Sequence, residues 1–157
     1  MSDGDWPDDR TRIAYEEART VIDAQNETMA DIDDKAMRSV RLTAVLIGLV
    51  IAAFQIDPGV FDELFLSIGF LLLVIAVFCG VATYDQSGLY LGPDGEFIEE
   101  LGDEVEFEKS WDTELTETLS GMIAKNRISL KRNSWIFRAT NGLLLLGISG
   151  IVLAVVI

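Results

Sequence analysis

Residues 64–84 read LFLSIGFLLLVIAVFCGVATY, 21 positions without an Asp, Glu, Lys or Arg. At 1.5 Å rise per residue, a helix of this length covers a hydrocarbon core of about 30 Å. Such a stretch is apolar on every side, which suits lipid better than a one-sided protein core. A second run, 139–157, has 19 residues and the same lack of charge. A third, 42–56, has only 15 residues between Arg41 and Asp57. Alone it also suits a buried helix of a soluble protein. The long stems of Arg38 and Arg41 can snorkel to the surface and lengthen the span to about 19 residues. The closeness of Leu64 favours a membrane hairpin, closed by the turn signal Asp57-Pro58-Gly59. The fold class predicted is an all-α membrane protein with three transmembrane helices, at about 38–56, 63–84 and 134–157. Spans one and three carry long cytoplasmic helical extensions, and a small irregular or β-ribbon insert completes the chain.

The basic residues set the expected orientation. Arg10, Arg12, Arg19, Lys35, Arg38 and Arg41 precede span one. Lys109, Lys125, Arg127, Lys131, Arg132 and Arg138 lie between span two and the start of span three. The loop 55–63 carries none, and nothing charged follows Arg138. The positive-inside rule then places the N-terminus in the cytoplasm and the C-terminus outside, in a cell membrane. Tyr84 and Trp135 fall at the cytoplasmic ends of spans two and three, as interfacial anchors do, beside Arg132 and Arg138. The first forty residues contain no early apolar core, so span one is expected to act as its own insertion signal.

The chain has 157 residues, 26 acids, 12 bases, no His and one Cys, for a net charge of −14. The acid excess excludes nucleic acid as a partner, since phosphate binding needs a basic patch. It matches adaptation of exposed surface to high salt, so a halophilic source is expected. Cys79 lies inside span two and has no second Cys for a disulfide. Without His, zinc sites and proton relays lose their usual ligand, and no metal is expected. No Gly-rich phosphate loop or nucleophile–base pairing appears, so no catalytic residues are assigned and the chain is not read as an enzyme.

Residues 1–9 read as a disordered acidic lead. Over 10–40, Tyr15, Ala18, Ile22, Gln25, Met29, Ile32, Ala36 and Ser39 recur at spacings of three and four, a narrow heptad-like seam. No Pro or Gly occurs from Asp8 to Ile47, so this amphipathic helix is expected to run unbroken into the hairpin 41–84. Over 111–133, Leu115, Leu119, Met122, Ile123 and Leu130 line a second apolar face, with Asn126 within it. These two helices pack either within one chain or between chains. The loop 85–110 has a tight-turn signal at Gly92-Pro93-Asp94-Gly95, flanked by candidate strands at 89–91 and 97–98; Val105 and Phe107 offer a third. Its acids read as solvated surface, because Ca²⁺ requires a cage of oxygen ligands.

No ionisable residue sits at mid-depth in any span, which argues against pumps and proton-coupled carriers. Small residues recur every fourth position: Ala44, Gly48 and Ala52 in span one, Ala76 and Gly80 in span two, Gly150 and Ala154 in span three. Such faces permit close helix packing, partly between subunits of a homo-oligomer. Thr43, Gln55, Asn141 and Ser149 either bond to neighbouring backbone or turn toward a water-filled path.

Asp33-Asp34-Lys35-Ala36 closes the polar helix just before span one. Asn126, Leu130 and Lys131 lead through Phe137, Arg138 and Ala139 into the last span. This layout resembles the small transmembrane effectors of the Pycsar anti-phage system and, more loosely, the two-span SLATT-type effectors. In those families an Asp-x-Lys-Ala motif precedes span one and a Lys-bearing helix precedes the last span. The resemblance implies a membrane effector that oligomerises and impairs membrane integrity in response to a cyclic nucleotide. It implies roles as ligand or switch residues for Asp33, Lys35, Ala36 and Lys131; no other cofactor is implied. Two other expectations stand beside it: a structural or regulatory membrane subunit that docks a cytoplasmic partner, and a small constitutive channel.

Overall fold

The computed structural model describes residues 9–85, 88–93, 99 and 110–157. Three helices dominate: α1 (Asp9–Ile56), α2 (Glu63–Asp85) and α3 (Trp111–Val156), with a 3₁₀ turn at Pro58–Val60 between α1 and α2. All three contain a stretch long and apolar enough to cross a membrane. As the sequence predicts, α1 continues from the polar segment into the first apolar run, and α3 does the same for the third. Large apolar residues of the three runs, such as Leu49, Phe78, Leu146 and Val156, are exposed. Apolar exposure of this extent belongs against lipid, not water.

The chain forms two compact units, residues 1–29 with 88–130, and 30–87 with 131–157. The second holds the hairpin. Asp57 ends α1 and accepts the Gly59 N–H at 3.0 Å, with Pro58 at the first position of the 3₁₀ turn. Asp62 then caps α2: its Oδ1 accepts from Leu64 N–H at 3.1 Å and Phe65 N–H at 3.0 Å. The Asp62 N–H donates to the Ala154 carbonyl at 2.8 Å, tying the hairpin to α3.

Lipid tails are as apolar as Leu, so close van der Waals approach must hold α2 on α3. It does so at glycines. A Cβ on Gly69 would lie 2.9 Å from the Gly147 carbonyl, and one on Gly150 would lie 2.9 Å from Gly69 Cα. Leu73, Ala76 and Leu144 form the buried cluster beside this crossing. Farther along, Gly80 packs under Val40, whose Cγ2 would stand 2.5 Å from an added Cβ. Ala36, Thr43, Thr83 and Thr140 are buried in the same unit.

The small-residue faces therefore divide. Ala76, Gly80 and Ala154 are buried and Gly150 is half-buried at a crossing, whereas Ala44, Gly48 and Ala52 are exposed. A Cβ on Gly48 would meet nothing within 4 Å. The polar residues divide too. Thr43 donates to the Ser39 carbonyl at 2.7 Å and Ser149 to the Leu145 carbonyl at 2.9 Å, the local backbone bonding that satisfies a hydroxyl in lipid. Ser39 donates to Asn141 Oδ1 at 3.0 Å, joining α1 to α3. Gln55 instead lines a hollow of about 430 Å³ with Val50, Phe54, Leu66, Ser67 and Phe70.

Candidate functional site

The other unit pairs the first part of α1 with the first part of α3. The part of the predicted Tyr15–Ser39 seam that lies in this unit turns inward at Ile22, 0% exposed, and Met29, 3% exposed. On α3, Leu119 is 0% and Asn126 1% exposed. Gln25, the polar break in the seam, donates from Nε2 to the Ile123 carbonyl at 3.1 Å. The two helices thus pack within one chain, one of the two alternatives left open by the seam.

Asn126 is satisfied in an unusual way. Its Oδ1 accepts from the Tyr90 N–H and its Nδ2 donates to the Tyr90 carbonyl, each at 2.9 Å. A buried amide left unpaired would cost roughly 1–3 kcal/mol, so the pair fixes the segment 88–91 on α3. Residues 89–91, expected as a strand, are not one: the Asn126 side-chain amide takes both backbone groups of Tyr90. The remaining strand candidates at 97–98, Val105 and Phe107 lie outside the described residues, and no strand occurs among the described ones.

Two cations hold the same segment. Lys125 Nζ stands 5.0 Å from the centroid of the Tyr90 ring, within cation–π range. Arg19 on α1 donates from Nη1 to the Leu91 carbonyl at 3.4 Å, and the same nitrogen lies 3.2 Å from where a Gly92 Cβ would be. A cleft of about 370 Å³ opens here, lined by Tyr90, Gly92, Thr118, Gly121, Met122 and Lys125. At Gly121 an added Cβ would meet nothing within 4 Å.

At the start of α3, Asp112 is buried in the first turn, where a negative charge suits the helix dipole. The Ser110 hydroxyl chiefly holds its carboxyl below the usual carboxylate value; burial opposes this, and the Thr113 N–H, its own N–H and the Thr11 hydroxyl add to it. A shallower hollow of about 280 Å³ lies near, lined by Arg10, Thr11, Ala14, Thr113, Thr116 and Glu117. No group of three or more His, Cys, Asp or Glu suited to a metal ion occurs among the described residues.

The residues singled out before span one do not form one site. Lys35 faces out and pairs with Asp31 at i,i+4, with both side chains more than half exposed. Ala36 faces in, 0% exposed, with its carbonyl 3.8 Å from where a Gly80 Cβ would be. Asp33 is half-buried, and its Oδ1 is buried without a hydrogen-bond partner. Arg38 pairs loosely with Asp34 at 3.5 Å, while Arg41, Lys131, Arg132 and Arg138 are exposed. Tyr84 and Trp135 are 56% and 70% exposed.

No protein-family model matches the chain, and neither a curated protein nor a solved structure does. The cleft at Tyr90 was not apparent from the sequence. Asn126 within the apolar face was the available signal, but its partner lies 36 residues away in an irregular segment.

Proposed function

We propose that the chain is a membrane effector of nucleotide-signalled anti-phage defence, which oligomerises in the bilayer and impairs membrane integrity when triggered. It acts without catalysis, with its N-terminus and the unit of residues 9–29 and 88–130 in the cytoplasm and its C-terminus outside. The observation that carries this reading is the continuity of α1, 48 residues from Asp9 to Ile56 without a break. A helix with no Pro or Gly before Gly48 transmits a displacement of its polar end to its membrane end. That membrane end is loosely held: only 6% of the most apolar window of α1 is buried, against 22% in α2 and 28% in α3. Ala44, Gly48 and Ala52 stay exposed along it, at the spacing helices use to pair in lipid. The resemblance at Asp33, Lys35 and Ala36 supports the defence context and the cyclic nucleotide trigger.

The test is membrane potential in cells expressing the chain, read with a voltage-sensitive dye, with and without cyclic mononucleotides. Depolarisation that depends on one of the nucleotides is expected. An unchanged potential across the panel contradicts the reading. If the potential is unchanged and a second protein co-purifies stably, the chain is instead a regulatory membrane subunit.

A further inference from the structure

We propose that the cleft between Tyr90 and Gly121 binds a small organic anion that carries a flat ring. This deepens the reading above by giving a trigger a place on the chain, but it stands on its own observations. A volume of about 370 Å³ falls at the lower end of cavities that hold one small molecule, and is too small for a folded partner. Among the described residues that line it there is no acid. Lys125 lines the cleft and Arg19 reaches its Gly92 side, so two cations converge on one small space.

The ring-binding element is Tyr90, 51% exposed yet fixed through its backbone by Asn126. An exposed aromatic held in place loses little freedom when a second ring stacks on it, and Met122 adds a polarisable neighbour. Lys125 lies over the ring, 5.0 Å from its centroid; a ligand ring that stacks on that face displaces the ammonium, which then pairs with the ligand's anionic group.

Gly121 is the most telling residue. Within a helix, glycine is less favourable than alanine. Gly69, Gly80, Gly147 and Gly150 are each required by a neighbour within 3 Å of an added Cβ. A Cβ at Gly121, as at Gly48 and Gly142, would meet no neighbouring element within 4 Å; at Gly121 the open space is the cleft. Of the overall charge of −14, only acids within about 8–10 Å of the cleft repel an anion there at ordinary salt, because screening removes the rest.

The experiment uses the full chain in detergent micelles. Binding is measured by calorimetry for AMP, CMP, GMP and UMP, their 3′,5′-cyclic forms, the four nucleosides and inorganic phosphate. At least one nucleotide is expected to bind, with its nucleoside and phosphate alone each weaker by about tenfold or more. Gly121→Leu puts a bulky side chain into the cleft and raises helix propensity. It should abolish binding while leaving the melting temperature unchanged or higher. Lys125→Gln should weaken binding and reduce its salt dependence. Absence of binding by every probe, or binding that Gly121→Leu leaves intact, overturns the proposal. Binding without depolarisation would leave the site standing and sink the effector reading; depolarisation that survives Gly121→Leu would do the reverse.

Discussion

The side-chain amide of Asn126 pairs with both backbone groups of Tyr90, accepting from its N–H and donating to its carbonyl at 2.9 Å each. Asn126 is 1% exposed, so water cannot replace either bond. Asn126→Ala should destabilise the polar unit by about 1–3 kcal/mol and release the Tyr90 segment. Hydrogen exchange at the Tyr90 amide is the direct readout. Loss of protection there, with the membrane helices unaffected, is expected; unchanged protection would show that the pairing does not hold the segment.

The glycines of the apolar helices should split into two classes. Gly69→Ala forces the backbones of α2 and α3 apart and should cost about 1–3 kcal/mol. Gly48→Ala meets nothing and should leave the fold as stable, or more stable by up to about 1 kcal/mol through helix propensity. Unfolding in detergent measures both. If copies pair through the face Ala44, Gly48 and Ala52, Gly48→Leu should lower the oligomer fraction in micelles and spare monomer stability. Equal damage from Gly69→Ala and Gly48→Ala would contradict the crossing described.

The residues of the Asp-x-Lys-Ala motif should also behave separately. Lys35→Ala removes an exposed i,i+4 pair with Asp31 and should change stability by no more than about 0.5 kcal/mol. Ala36→Leu overpacks the buried position beside Gly80 and should cost about 1–3 kcal/mol. Thermal unfolding distinguishes them. A loss of depolarising activity in Lys35→Ala without loss of stability would mark Lys35 as a contact for ligand or partner.

Asp112 gives the polar unit an acid limb. Its carboxyl is held below the usual value of 3.8, mainly by the Ser110 hydroxyl. The unfolded chain therefore binds this proton more readily than the folded one, and stability rises with pH through that window. The contribution is complete above the unfolded value and is lost as pH falls through the folded one. Asp112→Asn should flatten this limb, and Ser110→Ala should move it upward. Melting temperature against pH, from neutral into the acid range, checks both; identical slopes in wild type and Asp112→Asn would refute the assignment.

What was legible in the sequence follows from what each element requires of its neighbours. The apolar runs need only length and lack of charge, so three long helices could be read directly, including the continuity of α1 and α3. The Asp57-Pro58-Gly59 turn carries its own geometry and could be read as well. Packing could not. Ala44, Gly48 and Ala52 have the same spacing as Ala76 and Gly80, but spacing does not name a partner, and the span-one face stays exposed. Gly69 and Gly147 bring the backbones of α2 and α3 together and stand outside that pattern within each helix. The cleft depends on Asn126 meeting Tyr90, a pairing that neither periodicity nor composition encodes.

The proposed topology has three helices that cross the bilayer, with residues 57–62 and 157 on one side and residue 120 on the other. Site-directed labelling tests it most directly. In a Cys79→Ala background, single cysteines are placed by Val60→Cys, Ser120→Cys and Ile157→Cys, all at exposed positions. A membrane-impermeant maleimide applied to intact cells should label positions 60 and 157 and reach position 120 only after permeabilisation. Labelling of 60 and 120 from the same side, or of 120 and 157 from the same side, would contradict the account.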